Sequence, residues 1–120
     1  MELTTREFLE ALAAQPGPRL HELSPVEARA ALRAASAGDF AMPRVELKEV
    51  VIPLEPRANV SVTLVRPAGR KGSLPAILYF HGGGWVLGDY EVFQRCVVEL
   101  AHGADATVAF VNYSLAPEAR

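Results

Sequence analysis

The stretch Tyr79–Tyr90, YFHGGGWVLGDY, sets three consecutive glycines, Gly82, Gly83 and Gly84, between an apolar run and a segment with helical spacing. Glycine loses more backbone entropy on folding than any other residue, so a triplet marks a place where bare backbone is needed. Upstream, PAILYF (Pro75–Phe80) is continuously apolar, and so is TVAFVNY (Thr107–Tyr113) downstream. Such runs suit strands covered on both faces of a parallel sheet. Between them, roughly Tyr90 to His102, the residues Phe93, Cys96, Val97, Leu100 and Ala101 fall on one helical stripe, with Gly103 placed as its C-cap. Strand, helix and strand at this length predict a right-handed βαβ unit. The glycines then lie beyond the carboxyl end of its first strand, where open α/β sheets bind ligands.

Working outward, two short helices open the chain. Thr4 and Glu7 have capping-box spacing, and Phe8, Leu9 and Leu12 share a helical face until Pro16 and Gly17 stop the pattern. SPVE (Ser24–Glu27) is a second capping box with proline at the first helical position, opening an alanine-rich helix that ends near Gly38. Two strands follow. Val50, Ile52 and Leu54 alternate with other residues, and Val60, Val62 and Leu64 alternate with Ser61 and Thr63. Alternation predicts an antiparallel pair with one buried and one wet face, joined by a turn containing Pro56 and Asn59. The expected class is α/β: two helices, an antiparallel pair, then the start of a parallel sheet.

The 120 residues are 50% hydrophobic and 22% charged, enough for one globular core and against disorder. A net charge of −2 without a basic block gives no reason to expect nucleic acid or an anionic membrane as partner. No apolar stretch approaches the ~18 residues of a membrane span, and MELTTREFLE lacks the pattern of a secretory signal. The single cysteine, Cys96, excludes an internal disulfide, so a cytoplasmic setting is expected.

The glycines do not fit a phosphate loop. Counted from Gly82, the sixth position of G-x-G-x-x-G is Leu87; counted from Gly83, the third is Trp85; and no Gly-Lys-Ser/Thr run occurs. An oxyanion loop fits better. Acyl transfer builds negative charge on a carbonyl oxygen, which fixed backbone N–H groups can hold. His81-Gly82-Gly83-Gly84 after a strand, followed about thirty residues later by Tyr113 and SLAPEA (Ser114–Ala119), resembles the hormone-sensitive-lipase-like family of α/β-hydrolases. In that family Tyr-x-Leu-Ala-Pro-Glu follows the fourth strand and two helices form an N-terminal cap. The resemblance covers most of the chain. It implies that Gly83 and Gly84 offer oxyanion donors, that Gly82 lets the chain turn, and that His81 buttresses the loop. Trp85 is read separately, as lining an acyl pocket or packing under the cap. No cofactor and no metal are implied. The family often has Asp-Tyr-Arg where this sequence has Asn112, Tyr113 and Ser114, a departure that loosens a salt bridge near the fourth strand.

The family's nucleophile elbow, G-x-S-x-G after the fifth strand, is absent from these 120 residues, as are the later acid and histidine. Ser114 reads as a turn serine and Cys96 as a small core residue. His21 reads as a loop residue and His102 as a partner of its helix dipole. The three histidines lack metal-ligand spacing. The expectation is therefore the N-terminal part of a serine carboxylic-ester hydrolase acting on small to medium acyl esters. Residues 1–40 would form a helical cap region, and 41–120 the first four strands and first core helix, cut before the elbow. Without the fifth strand, AILYF would present an open edge through which chains self-associate. The alternatives are a non-catalytic interaction module or hydrolase remnant, and an amide-cleaving, formamidase-like enzyme.

Overall fold

A computed structural model describes residues 3–14, 16–38, 40–54 and 59–119, with the side chains of Phe8 and Leu12 excepted. Of the expected apolar face of the first helix, the Phe8 and Leu12 side chains lie outside the described residues and Leu9 is exposed; Pro56 of the expected turn also lies outside them. The elements in order are helix α1 (Leu3–Ala13), a 3-10 turn (Leu20–Glu22), helix α2 (Pro25–Ser36), strands β1 (Val45–Ile52), β2 (Val60–Pro67) and β3 (Ala76–Tyr79), helix α3 (Tyr90–Gly103) and strand β4 (Thr107–Asn112).

The α2 start follows its local chemistry. The Glu27 N–H donates to the Ser24 hydroxyl, and the Glu27 carboxylate accepts from the Ser24 N–H at 3.0 Å, a closed capping box with Pro25 at the first position. The corresponding box at Thr4 does not form, because α1 is already helical at Leu3 and Thr4 lies inside it. The C-terminus of α3 also differs from expectation. Gly103 is the last helical residue and Ala104 the cap, whose N–H donates to the Leu100 carbonyl at 3.0 Å; the left-handed conformation falls on Asp105, φ 47°.

The four strands form one mixed sheet in the order β1-β2-β4-β3. β1 and β2 pair antiparallel, β2 and β4 antiparallel, and β3 and β4 parallel, so β3-α3-β4 is the expected βαβ unit. β3 is an edge strand. The core lies on the sheet face that α3 covers, where Val65, Val108 and Phe110 meet Val97, Val98 and Ala101. The register places Thr63 and Val65 of β2 on this face, opposite Phe110 and Val108. The alternation predicts Val60, Val62 and Leu64 buried with Ser61 and Thr63 wet; Val62 is buried, but Ser61 and Thr63 are half-buried rather than wet. Both faces of β2 are at least partly covered.

The other sheet face has no helix on it among the described residues. Leu78 is 68% exposed on β3, and Phe80, just beyond that strand, is 65% exposed, so the run that predicted a strand covered on both sides is covered on one. β1 begins five residues earlier than expected and stops before Leu54; Ile52 and Leu54 are exposed and only Val45 and Val50 are partly covered. Cys96, expected in the core, is exposed on α3, because the buried stripe runs through Val97, Val98 and Ala101 instead. No described helix is long and apolar enough to cross a membrane.

Candidate active site

Beyond Tyr79 the chain leaves the sheet through Phe80 and His81 into the glycine loop. The His81 side chain turns inward and is buried. Its ring stacks on Tyr113, centroids 4.3 Å apart, and on Phe110 at 5.2 Å, in an aromatic cluster that includes Tyr79 and Phe93. Its Nδ1–H donates to the Gly82 carbonyl at 2.8 Å, and the Tyr113 hydroxyl donates to the His81 carbonyl at 2.6 Å. The point where the loop leaves the sheet is thereby fixed by packing and by two hydrogen bonds.

The reversal itself falls on three consecutive residues with positive φ, Gly83 at 131°, Gly84 at 61° and Trp85 at 60°. Gly82, expected to be the turning point, is not among them. The Gly83 carbonyl accepts from the Val86 and Leu87 N–H groups at 3.2 and 2.9 Å, which closes the turn. A Cβ on Gly83 would overlap the Leu87 carbonyl oxygen, whereas one on Gly84 would meet nothing within 4 Å. The triplet therefore holds one position where only glycine fits and another where the left-handed conformation alone favours it. Both glycines are exposed, and among the described residues no group accepts from their N–H.

A fourth glycine, Gly88, matters as much and was not singled out from sequence. Its φ is 98°, and a Cβ there would come within 2.7 Å of His81 Nδ1 and 3.0 Å of the Phe93 ring. The available signal was its place immediately before Asp89, the α3 N-cap whose carboxylate accepts from the Val92 N–H at 3.1 Å.

The loop is also held from the N-terminal helices. Arg29 of α2 donates from Nε to the Val86 carbonyl at 2.8 Å and from Nη2 to the Ala116 carbonyl at 2.9 Å. Its two Nη groups form a fork on the Glu118 carboxylate, each bond 2.8 Å long. The Ala116 N–H in turn donates to the Trp85 carbonyl at 2.8 Å. The SLAPEA segment thus lies against the glycine loop. The Arg29 guanidinium, through its side-chain hydrogen bond, holds the Glu118 carboxyl down at about 2, from an ordinary value of 4.5. A depressed carboxyl contributes fully above its ordinary value and is lost as pH falls through its folded one. The pairing should therefore survive from pH 7 to pH 4 and give way only towards pH 2. An NMR titration of the Arg29 Nε–H resonance checks this; a midpoint above pH 4 would contradict it.

The other residues weighed from sequence lie apart from this arrangement. Trp85 is 76% exposed and packs under nothing among the described residues. Ser114 is exposed. His21 sits in the 3-10 turn, and His102 Nε2–H donates to the Arg44 carbonyl at 2.9 Å. Asn112 donates from Nδ2 to the Ser61 and Thr63 hydroxyls at 3.0 and 3.1 Å, so this position is tied to β2 by neutral hydrogen bonds. Among the described residues no three His, Cys, Asp or Glu side chains gather into a metal-binding group.

The family model described as the alpha/beta hydrolase fold matches residues 77–120, the part that holds the glycine loop, α3 and β4. A solved variant of the esterase rPPE superposes on 99% of this chain with a TM-score of 0.92 and 41% sequence identity, using 37% of that chain. The chain belongs to the α/β-hydrolase fold family. Carboxylesterase NlhH of Mycobacterium tuberculosis is 33% identical over 76% of this chain and 28% of its own length. Carboxylic ester hydrolase LipN of the same organism is 34% identical over 97% of this chain and 24% of its own length. The chain thus spans about a quarter of these curated relatives. It carries the N-terminal portion of an α/β-hydrolase fold of the esterase/lipase type, and the mixed four-stranded sheet is that portion's framework.

Proposed function

We propose that this chain supplies the oxyanion hole of a serine carboxylic-ester hydrolase, with the Gly83 and Gly84 N–H groups as donors. The observation that carries the reading is the pair of exposed, unclaimed N–H groups in a turn held through three of its own carbonyls: Gly83 by Val86 and Leu87, Trp85 by Ala116, and Val86 by Arg29. Donors fixed before the reaction stabilise charge without reorganising when it develops. A serine outside these 120 residues would attack the ester carbonyl. The oxygen, gaining negative charge, would settle against the two N–H groups, and water activated by a histidine would later release the acyl group.

In this reading His81 is a buttress. Its ring is enclosed and its Nδ1–H is committed to Gly82, so it is not placed to take a proton from a nucleophile. Residues 1–40 form the cap region and 41–120 the hydrolase part, joined by Arg29 to Glu118 and by Arg33 to Asp89. The substrate is a small to medium acyl ester, and Trp85, standing free beside the donors, is available to an acyl group. Self-association of the isolated chain through the β3 edge and a cytoplasmic setting, which suits the exposed thiol of Cys96, belong to the same proposal.

The test uses a joined protein in which this chain replaces the matching portion of rPPE. It should hydrolyse short nitrophenyl esters and leave N-formyl amides intact. Turnover of the amides at a rate comparable with the esters would move the reading to the formamidase-like alternative.

A further inference from the structure

Arg29 lies far from the glycines in sequence and touches neither of the proposed donors. Its side chain is nevertheless only 19% exposed, and its bonds end on the two segments that shape the loop. The Val86 carbonyl, two residues beyond Gly84, accepts from Nε; the Ala116 carbonyl accepts from Nη2; and the Glu118 carboxylate accepts from both Nη groups. From Gly83 to Leu87 the loop's own bonds are those from the Val86 and Leu87 N–H groups to the Gly83 carbonyl. Without an outside anchor, the peptide planes at Gly84 and Trp85, all with positive φ on either side, have little to fix their orientation. Two anchors are present. Trp85 is held through Ala116, and Val86 is held by Arg29, which also holds Ala116. Both anchors therefore depend on one guanidinium.

We infer that Arg29 is a positioning residue for catalysis: from α2 it fixes the direction of the Gly83 and Gly84 N–H groups by locking the Val86 and Ala116 carbonyls and the Glu118 carboxylate into one fork. The inference rests on the oxyanion reading above. Only arginine offers this set of planar donors. A lysine ammonium is a point charge that cannot make the bidentate pair on Glu118 while reaching two carbonyls in the same plane. The consequence is that the N-terminal helices do more than cover the site. They set donor geometry, and a shift of about 1 Å in a reacting geometry can cost on the order of 10²-fold in rate.

The experiment compares Arg29→Met, Arg29→Lys and Gly83→Ala in the joined protein, reading kcat, KM, melting temperature and backbone amide exchange. Arg29→Met should lower kcat by about 10- to 100-fold with KM changed less than about twofold, because the donors meet full charge only in the transition state. Exchange at Val86, Leu87 and Ala116 should accelerate at least about tenfold while the amides of α3 and β4 keep their protection. Arg29→Lys should fall between the unaltered protein and Arg29→Met, and it serves alone if the methionine variant fails to fold. If exchange rises equally in α3 and β4, or if KM rises while kcat holds, Arg29 is a structural tie and the inference is overturned. If Gly83→Ala lowers kcat but neither Arg29 variant does, the inference falls and the oxyanion reading stands. If Gly83→Ala leaves kcat unchanged in a folded protein, both fall.

Discussion

Replacing Gly83 by alanine in the joined protein is expected to lower kcat for short nitrophenyl esters by about 10²–10³, the scale of losing one oxyanion donor, with KM nearly unchanged. The cause is geometric. The new Cβ would overlap the Leu87 carbonyl oxygen, and φ at this position is 131°. Backbone cannot yield there without turning the peptide planes of the loop, and the Gly84 N–H is part of the first plane to turn. Gly84→Ala is the internal control. Nothing lies within 4 Å of the added carbon, and φ is 61°, a conformation the neighbouring Trp85 already adopts at 60°. That substitution keeps the N–H and should carry only the left-handed strain of about 1 kcal/mol, so its kcat should fall far less. Melting temperatures recorded beside the kinetics separate a misdirected donor from a damaged fold. Equal and small effects at both positions would reduce the triplet to a tight turn.

Local signals and long-range partners divide what the sequence makes legible. The βαβ unit and the α2 cap follow from rules that act within a few residues, and both stand at or within a residue of their expected places. β1 was misplaced because VELKEVVI interrupts its apolar residues with Glu46, Lys48 and Glu49, and its extent is fixed by pairing with β2. Burial was misjudged wherever it depends on what covers a face. PAILYF has the composition of a strand covered on both sides, yet α3 covers only one of them, so Leu78 and Phe80 stay exposed. Arg29 carried no sequence signal at all, because its bonds reach residues 57, 87 and 89 positions away. The glycine motif pointed to the loop; which glycine turns the chain, and that Gly88 must also lack a side chain, required the packed His81 ring.

The second large effect concerns residues 1–120 by themselves. Incubated with a short nitrophenyl ester, they should show no turnover above a heat-killed sample and no serine labelled by a phosphonate. Joined to the remainder of rPPE, the same residues should be active. Members of a catalytic triad act as a unit, and loss of the set elsewhere costs on the order of 10⁶ in kcat, so the contrast is close to all or none. The isolated chain should also associate, since β3 presents an unpaired edge and Leu78 lies exposed on one uncovered face. Light scattering that reports a stable monomer with a cooperative melt would favour a self-sufficient interaction module. Labelling of Ser114 in the isolated chain would contradict the absence of a nucleophile.

The most direct measurement is a crystal structure of the joined protein inhibited by a phosphonate ester, whose tetrahedral phosphorus places an oxygen where the oxyanion forms. The account predicts that oxygen within about 2.7–3.1 Å of both the Gly83 and Gly84 nitrogens, with the Val86 and Ala116 carbonyls still bonded to Arg29. A phosphonyl oxygen held by other groups, with both glycine N–H groups turned to solvent, would contradict it.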